Sequence, residues 1–280
     1  MKKETRLKVL STYLALILLV LIMLFPLLWG LSASFRSDQE LFEYALPFTI
    51  HTLLPVKATL SSYVEVFTEY HFLKPILNTL FVSICTVVLG CIVDSLAAFA
   101  FATFDFRFKK VIFAVILVSF MIPFESIALP LYAVVNKLGM VNSFAALIVP
   151  CMADGLVLFL FTQFFKELPE GLLEAARVDG ASWPVIFVKI LLPLSKPVFI
   201  TAGLMIFINQ WNAYLWPLVA ARSADVMQIQ TAMGVFQQQH STKWSAMYAA
   251  SIITALIPLG LFLPFQKYYI QGIANSGIKG

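Results

Sequence analysis

Hydrophobic positions along this chain do not alternate, and they do not form the one-sided stripe of a water-facing helix. They run together in long blocks separated by short polar intervals. Six blocks, roughly residues 11–33, 76–102, 111–131, 143–165, 198–220 and 245–265, approach or exceed the ~20 apolar residues that a helix needs to cross the hydrocarbon core of a bilayer. Proline falls within or beside them at Pro26, Pro123, Pro130, Pro150, Pro217 and Pro258. In water such prolines argue against helix, but neighbouring helices in a membrane bundle satisfy the backbone groups they free, so kinked spans are expected. The pattern therefore predicts an all-α integral membrane protein with six transmembrane helices.

The polar intervals orient those helices. Lys and Arg concentrate at the N-terminus (Lys2, Lys3, Arg6, Lys8), in the 103–110 loop, in the 166–197 loop (Lys166, Arg177, Lys189, Lys196) and in the tail. By the positive-inside rule these segments and both termini face the cytoplasm. The opposite loops are poorer in basic residues. Residues 34–75 carry Asp38, Glu40, Glu43, Glu65 and Glu69 with prolines at 47 and 55, and predict a partly folded external lid. No repeat or low-complexity tract divides the chain, so residues 1–280 are expected to form a single transmembrane domain with a cytoplasmic loop at about 166–197, the external segment at about 34–75 and a cytoplasmic tail at about 266–280.

Composition agrees. Apolar residues make up 60% of the 280 positions and charged residues 12%, far from an average soluble domain. The net charge of +4 is too small and dispersed for a nucleic-acid surface. Cys85, Cys91 and Cys151 are an odd number inside apolar runs, without metal or redox spacing, and are expected to pack as small apolar residues. The opening MKKETRLK and its apolar run resemble a signal peptide, but the run exceeds the ~7–15 residues of a cleavable segment and is expected to be retained. His51, His71 and His240 fall in external loops without ligand spacing, so no metal site is expected.

One cytoplasmic stretch stands apart, EAARVDGASWPVIFVKILLPL at residues 174–194. A helix is expected from near Leu168, with Pro169 in its first turn and Glu170 and Glu174 toward its positive end. Asp179 and Gly180 end it, since glycine takes a left-handed C-terminal conformation without steric cost. Ser182 then caps a second helix through Phe187 and Lys189 that breaks at Pro193. Small Ala175, Ala176, Gly180 and Ala181 permit close approach of another backbone, flanked by Glu174, Arg177 and Asp179. Such a surface favours docking. The competing reading, a loop resting on lipid headgroups, would want a face rich in Leu and Phe.

Glu174, Ala175 and Ala176, three residues, Gly180, nine residues, Ile190, one residue, Leu192 and Pro193 resemble, at every fixed position, the EAA motif of the membrane subunits of bacterial ATP-binding cassette importers. Residues 121–144, 207–218 and the ending QKYYIQGIANSGIKG are similar to the carbohydrate-uptake class, in the smaller of its two permease subunits. The resemblance implies a type I importer permease fold in the bacterial inner membrane, with Glu174, Ala175, Ala176, Asp179, Gly180, Ile190, Leu192 and Pro193 coupling to an ATPase. It implies a second permease subunit, an ATPase dimer that carries the ATP and Mg, an extracytoplasmic solute-binding protein and a sugar or oligosaccharide as partners, and no cofactor on this chain. Thr103, where the class often has arginine, and Asp94, where small residues are usual, depart from the pattern.

Polar groups inside the spans need a partner or a wet cavity. Glu125, after Pro123, either faces a translocation path and accepts sugar hydroxyls or bonds another helix. Asp94 reads as structural, and Asp154 as either. Asn209 and Asn212, three apart with Gln210 and Trp211 between, are expected to share a helix face, where amides serve a sugar site or, more commonly, glue helices together. No nucleophile elbow and no GxxxxGK[ST] appears, so the chain is not expected to hydrolyse ATP. The reading that results is a non-catalytic permease subunit of a binding-protein-dependent sugar importer. Its alternatives are the same machine with a non-sugar cargo, or an autonomous secondary carrier using Asp94, Glu125 and Asp154.

Overall fold

The computed structural model describes residues 2–236 and 242–277, with side chains outside that description at 2–8, 170 and 268–277. His240 and the last three residues of the tail lie outside the described residues. The elements, in order, are α1 (Lys2–Ser34), α2 (Asp38–Glu43), α3 (Ile50–Leu53), α4 (Ser61–Thr68), α5 (Leu73–Thr103), α6 (Lys109–Phe120), α7 (Phe124–Lys137), α8 (Phe144–Ile148), α9 (Gly155–Lys166), α10 (Glu170–Val178), α11 (Trp183–Ile186), α12 (Leu192–Leu194), α13 (Lys196–Trp211), α14 (Leu215–Ala220), α15 (Ile229–Ala232) and α16 (Trp244–Gly277). No strand occurs among the described residues.

Three helices are long and apolar enough to cross a membrane unbroken, at Val9–Ser34, Leu73–Thr103 and Trp244–Lys267, and three bent pairs raise the number to six where each pair is one span. Bent pairs of this kind match the kinked spans that the internal prolines predict. α6 and α7 meet at 102°, α8 and α9 at 42°, and the segment Trp183–Leu194 meets α13 at 81°. Each break lies beside proline, which has no N–H to give the carbonyl four residues back and whose ring crowds it. The 198–220 block likewise leaves helix at Asn212 and re-enters at Leu215. Pro217 explains that break, because in a continuous helix it would collide with the carbonyl of Ala213.

The chain packs as two compact units. The first comprises residues 1–73 and 232–256. Here α1 is exposed from Val9 to Leu28, and its C-terminal end is held by side-chain contacts. Trp29 Nε1 donates to the Thr52 carbonyl at 3.2 Å, and the hydroxyls of Ser34 and Tyr63 lie 2.8 Å apart. Residues 34–73 are folded by polar contacts. Glu40 accepts the Val56 N–H at 2.7 Å and lies 3.8 Å from Arg36. Burial lowers the Arg36 guanidinium from its ordinary pKa, and Glu40 opposes that shift. Asp38 accepts the Ser245 N–H at 2.7 Å in the first turn of α16.

The second unit, residues 74–231 and 257–280, contains the candidate functional elements. One apolar cluster joins α5, α9 and α13 through Ala98, Phe99, Phe101, Phe161, Leu191 and Ala202. Another gathers Val82, Val135, Leu147, Trp216 and Val226, where Trp216 Nε1 donates to the Ala146 carbonyl at 2.9 Å.

Candidate functional site

The hairpin at 170–194 is built largely as its sequence dictates. α10 begins one residue after Pro169 and ends at Asp179, and Gly180 has φ +82°. The Ala181 N–H returns to the Ala176 carbonyl and the Gly180 N–H to the Arg177 carbonyl, both at 3.0 Å, completing a Schellman turn. A Cβ on Gly180 would meet nothing within 4 Å, so glycine is required by the backbone and not by space. Arg177 then locks the turn from outside. Its Nη1 donates to the Ala181 carbonyl at 2.8 Å, and its guanidinium lies 4.8 Å from the Trp183 ring centroid.

Two expectations for the second helix are corrected. Ser182 occupies the cap position but its hydroxyl makes no cap bond, and Pro184 in the first turn removes one of the N–H groups that needs capping. Pro193 does not end the helix. The turn Phe187–Leu191 widens to a π-helix, α12 continues through Pro193, and the break comes at Ser195. An added residue in one turn lets the helix absorb the hydrogen bond that proline cannot make.

The hairpin has anchored and open positions. Trp183 packs edge-on against Phe104 at 4.9 Å and Phe99 at 6.1 Å, and Phe187 lies 5.4 Å from Phe99. Trp183 was not singled out from the sequence, although Phe99 and Phe104, flanking the C-terminal end of α5, were the available signal. Ala176 and Leu191 are buried; Ile190 is half-buried. Glu174, Ala175, Asp179, Leu192 and Pro193 are exposed, and Val178 is 88% exposed.

The same unit contains a cavity of ≈ 980 Å3 bounded by the α6–α7 bend, the α8–α9 break and the C-terminal end of α13. Glu125, Asn209 and Gln210 line it, together with Thr86 and Asp154. Glu125 occupies the first turn of α7, and Gln210 Nε2 donates to Thr86 Oγ1 at 3.3 Å. Asn212 is not among the lining residues. It caps the C-terminal end of α13 and turns its amide back to the Ile208 carbonyl at 2.9 Å.

Asp154 and Asp94 form the polar joint at the α8–α9 break. Asp154 Oδ1 accepts the N–H groups of Leu156 at 2.8 Å and Val157 at 3.1 Å, capping α9. The Asp154 N–H is in turn accepted by buried Asp94, at 3.2 and 3.3 Å to its two oxygens. Beside them a Cβ on Gly155 would fall 2.8 Å from Phe120 Cβ, so glycine permits α6 and α9 to touch.

Residues 87–271 match the family described as binding-protein-dependent transport system inner membrane component. The chain belongs to that family. As one of these transport permeases it is 34% identical to the arabinooligosaccharides transport system permease protein AraQ of Halalkalibacterium halodurans, over 92% of each chain. It is also 34% identical to the sn-glycerol-3-phosphate transport system permease protein UgpE of Escherichia coli, covering 93% of this chain and 94% of the relative. Its fold matches a chain of a bacterial ABC transporter involved in import of the acidic polysaccharide alginate, with TM-score 0.81 at 22% identity and 94% and 96% coverage. The permease is thus a non-catalytic transport subunit of the type I importer fold, carried by a multi-pass membrane chain.

Proposed function

We propose that this permease forms half of the translocation path of an ATP-driven sugar importer and transmits the work of a separate ATPase through residues 174–193. Its partners are a second permease, an ATPase dimer docked on the hairpin, and an external solute-binding protein that delivers the cargo. Both termini and the hairpin face the cytoplasm, in line with the distribution of Lys and Arg. Closure of the ATPase dimer draws the hairpins together and opens the cavity outward, and hydrolysis resets it, an equilibrium between two arrangements biased by nucleotide.

One observation carries the coupling role: Val178 is left 88% exposed on a hairpin that Trp183 fixes to Phe99 and Phe104. A rigid element with an open apolar position suits a partner surface. Glu125, Asn209 and Gln210 supply hydrogen-bonding groups, and aromatic residues such as Tyr214 and Phe124 line the same cavity, which suits sugar hydroxyls and ring faces. The relative named for arabinooligosaccharides supports a sugar cargo.

The test is purification of the permease with its partners and a screen of sugars, each added with the binding protein, for stimulation of ATP hydrolysis. A sugar that stimulates hydrolysis and is taken up supports the reading. Stimulation confined to non-sugar solutes contradicts it.

A further inference from the structure

The relatives named above differ in the charge of the solutes in their names, and the cavity of this chain is itself charged. Among the described residues that line it are Glu125 and Asp154, the hydroxyls of Thr86 and Ser119 and the amides of Asn209 and Gln210, with no Lys, Arg or His. An anion in a cavity at membrane depth needs a fixed positive group or a free helix N-terminus to offset its lost hydration. Neither is offered. The first N–H groups of α9 are already taken by Asp154 Oδ1, and the first turn of α7 carries Glu125.

We propose that this chain makes its side of the passage an anion-excluding filter, so that the cargo is an uncharged glycoside and not a sugar phosphate or uronate. Glu125 sets most of that selectivity, because it is exposed in the cavity while Asp154 is engaged by backbone N–H groups. This inference rests on the importer reading for the meaning of the cavity, but the charge of the cavity can be measured without knowing the cargo.

The experiment uses the assembled importer with Cys85, Cys91 and Cys151 replaced by Ala and a single reporter, Ser119→Cys or independently Ala213→Cys, both at lining positions. Labelling rates are compared for cationic 2-(trimethylammonio)ethyl methanethiosulfonate and anionic 2-sulfonatoethyl methanethiosulfonate, each normalised to its rate with a small free thiol. The expected result is a cation preference on the order of tenfold, the lower end of what a cleft lined by one sign of charge produces, falling several-fold when Glu125→Gln is added. A normalised ratio of one or below, a ratio that Glu125→Gln leaves unchanged, or no labelling in either the nucleotide-free or the ATP-bound state overturns the proposal. If the cation preference is found but no sugar stimulates ATP hydrolysis, the filter stands and the sugar reading fails.

Discussion

The guanidinium of Arg177 lies 4.8 Å from the ring centroid of Trp183, across the turn that Gly180 makes. The pair ties the end of α10 to the start of the second helix, and Trp183 continues the tie to Phe99 and Phe104. The hairpin is therefore joined to the C-terminal end of α5 and the residue just beyond it by aromatic contacts. Trp183→Ala is expected to cost less than the roughly 3–5 kcal/mol of a fully buried Trp, because the ring is only half-buried. Arg177→Met is expected to cost about 0.5–1 kcal/mol. Limited proteolysis of the purified complex should show cleavage at 179–182 faster in both variants, and much faster in Trp183→Ala.

Gly180 gives a sharper prediction, since no neighbour stands within 4 Å of a Cβ there. A β-branched residue at φ +82° carries a strain of about 1–2 kcal/mol or more, whereas Asn tolerates that region. Gly180→Val should leave the permease in the membrane but reduce substrate-stimulated ATP hydrolysis, and Gly180→Asn should retain much of it. Equal losses in the two variants would show that size and not backbone conformation matters.

Asp94 is expected to be structural through the amide it accepts. Asp94→Ala strands the Asp154 N–H at a cost of about 1–3 kcal/mol, and Asp94→Asn, which keeps an acceptor oxygen, should cost less. Thermal unfolding of the purified complex in detergent checks the order: wild type, then Asn, then Ala.

Gln210 and Asn212 are expected to separate. Gln210 lines the cavity and Asn212 folds back on its own helix. Gln210→Ala should lower sugar uptake while ATPase attachment persists, and Asn212→Ala should change uptake little. Uptake assays on the two variants, with co-purification of the ATPase as the control, make the comparison.

The sequence showed where helices must form and where the 170–194 hairpin must turn, because both follow from local rules. Long apolar blocks have one solution in lipid, and Asp179-Gly180 can end a helix in few ways. What it did not show was set by contacts between distant segments. Asp154 read equally well as a cargo ligand or a structural group until its carboxylate was seen to cap α9. Asn212 matched Asn209 by helical spacing, yet it caps the end of α13 and turns its amide back to the Ile208 carbonyl, while Gln210 lines the cavity. Pro193 was expected to stop a helix, and the π-turn at Phe187–Leu191 that lets the helix pass it has no signature in residue types alone.

The coupling role is tested most directly by a photo-crosslinking amino acid placed at Val178, the most exposed apolar position of the hairpin and outside the fixed positions of the motif. In the assembled importer under light it should give an adduct with the ATPase subunit, with a yield that changes between nucleotide-free and ATP-bound states. Adducts with lipid alone, or none with the ATPase in either state, would contradict the account.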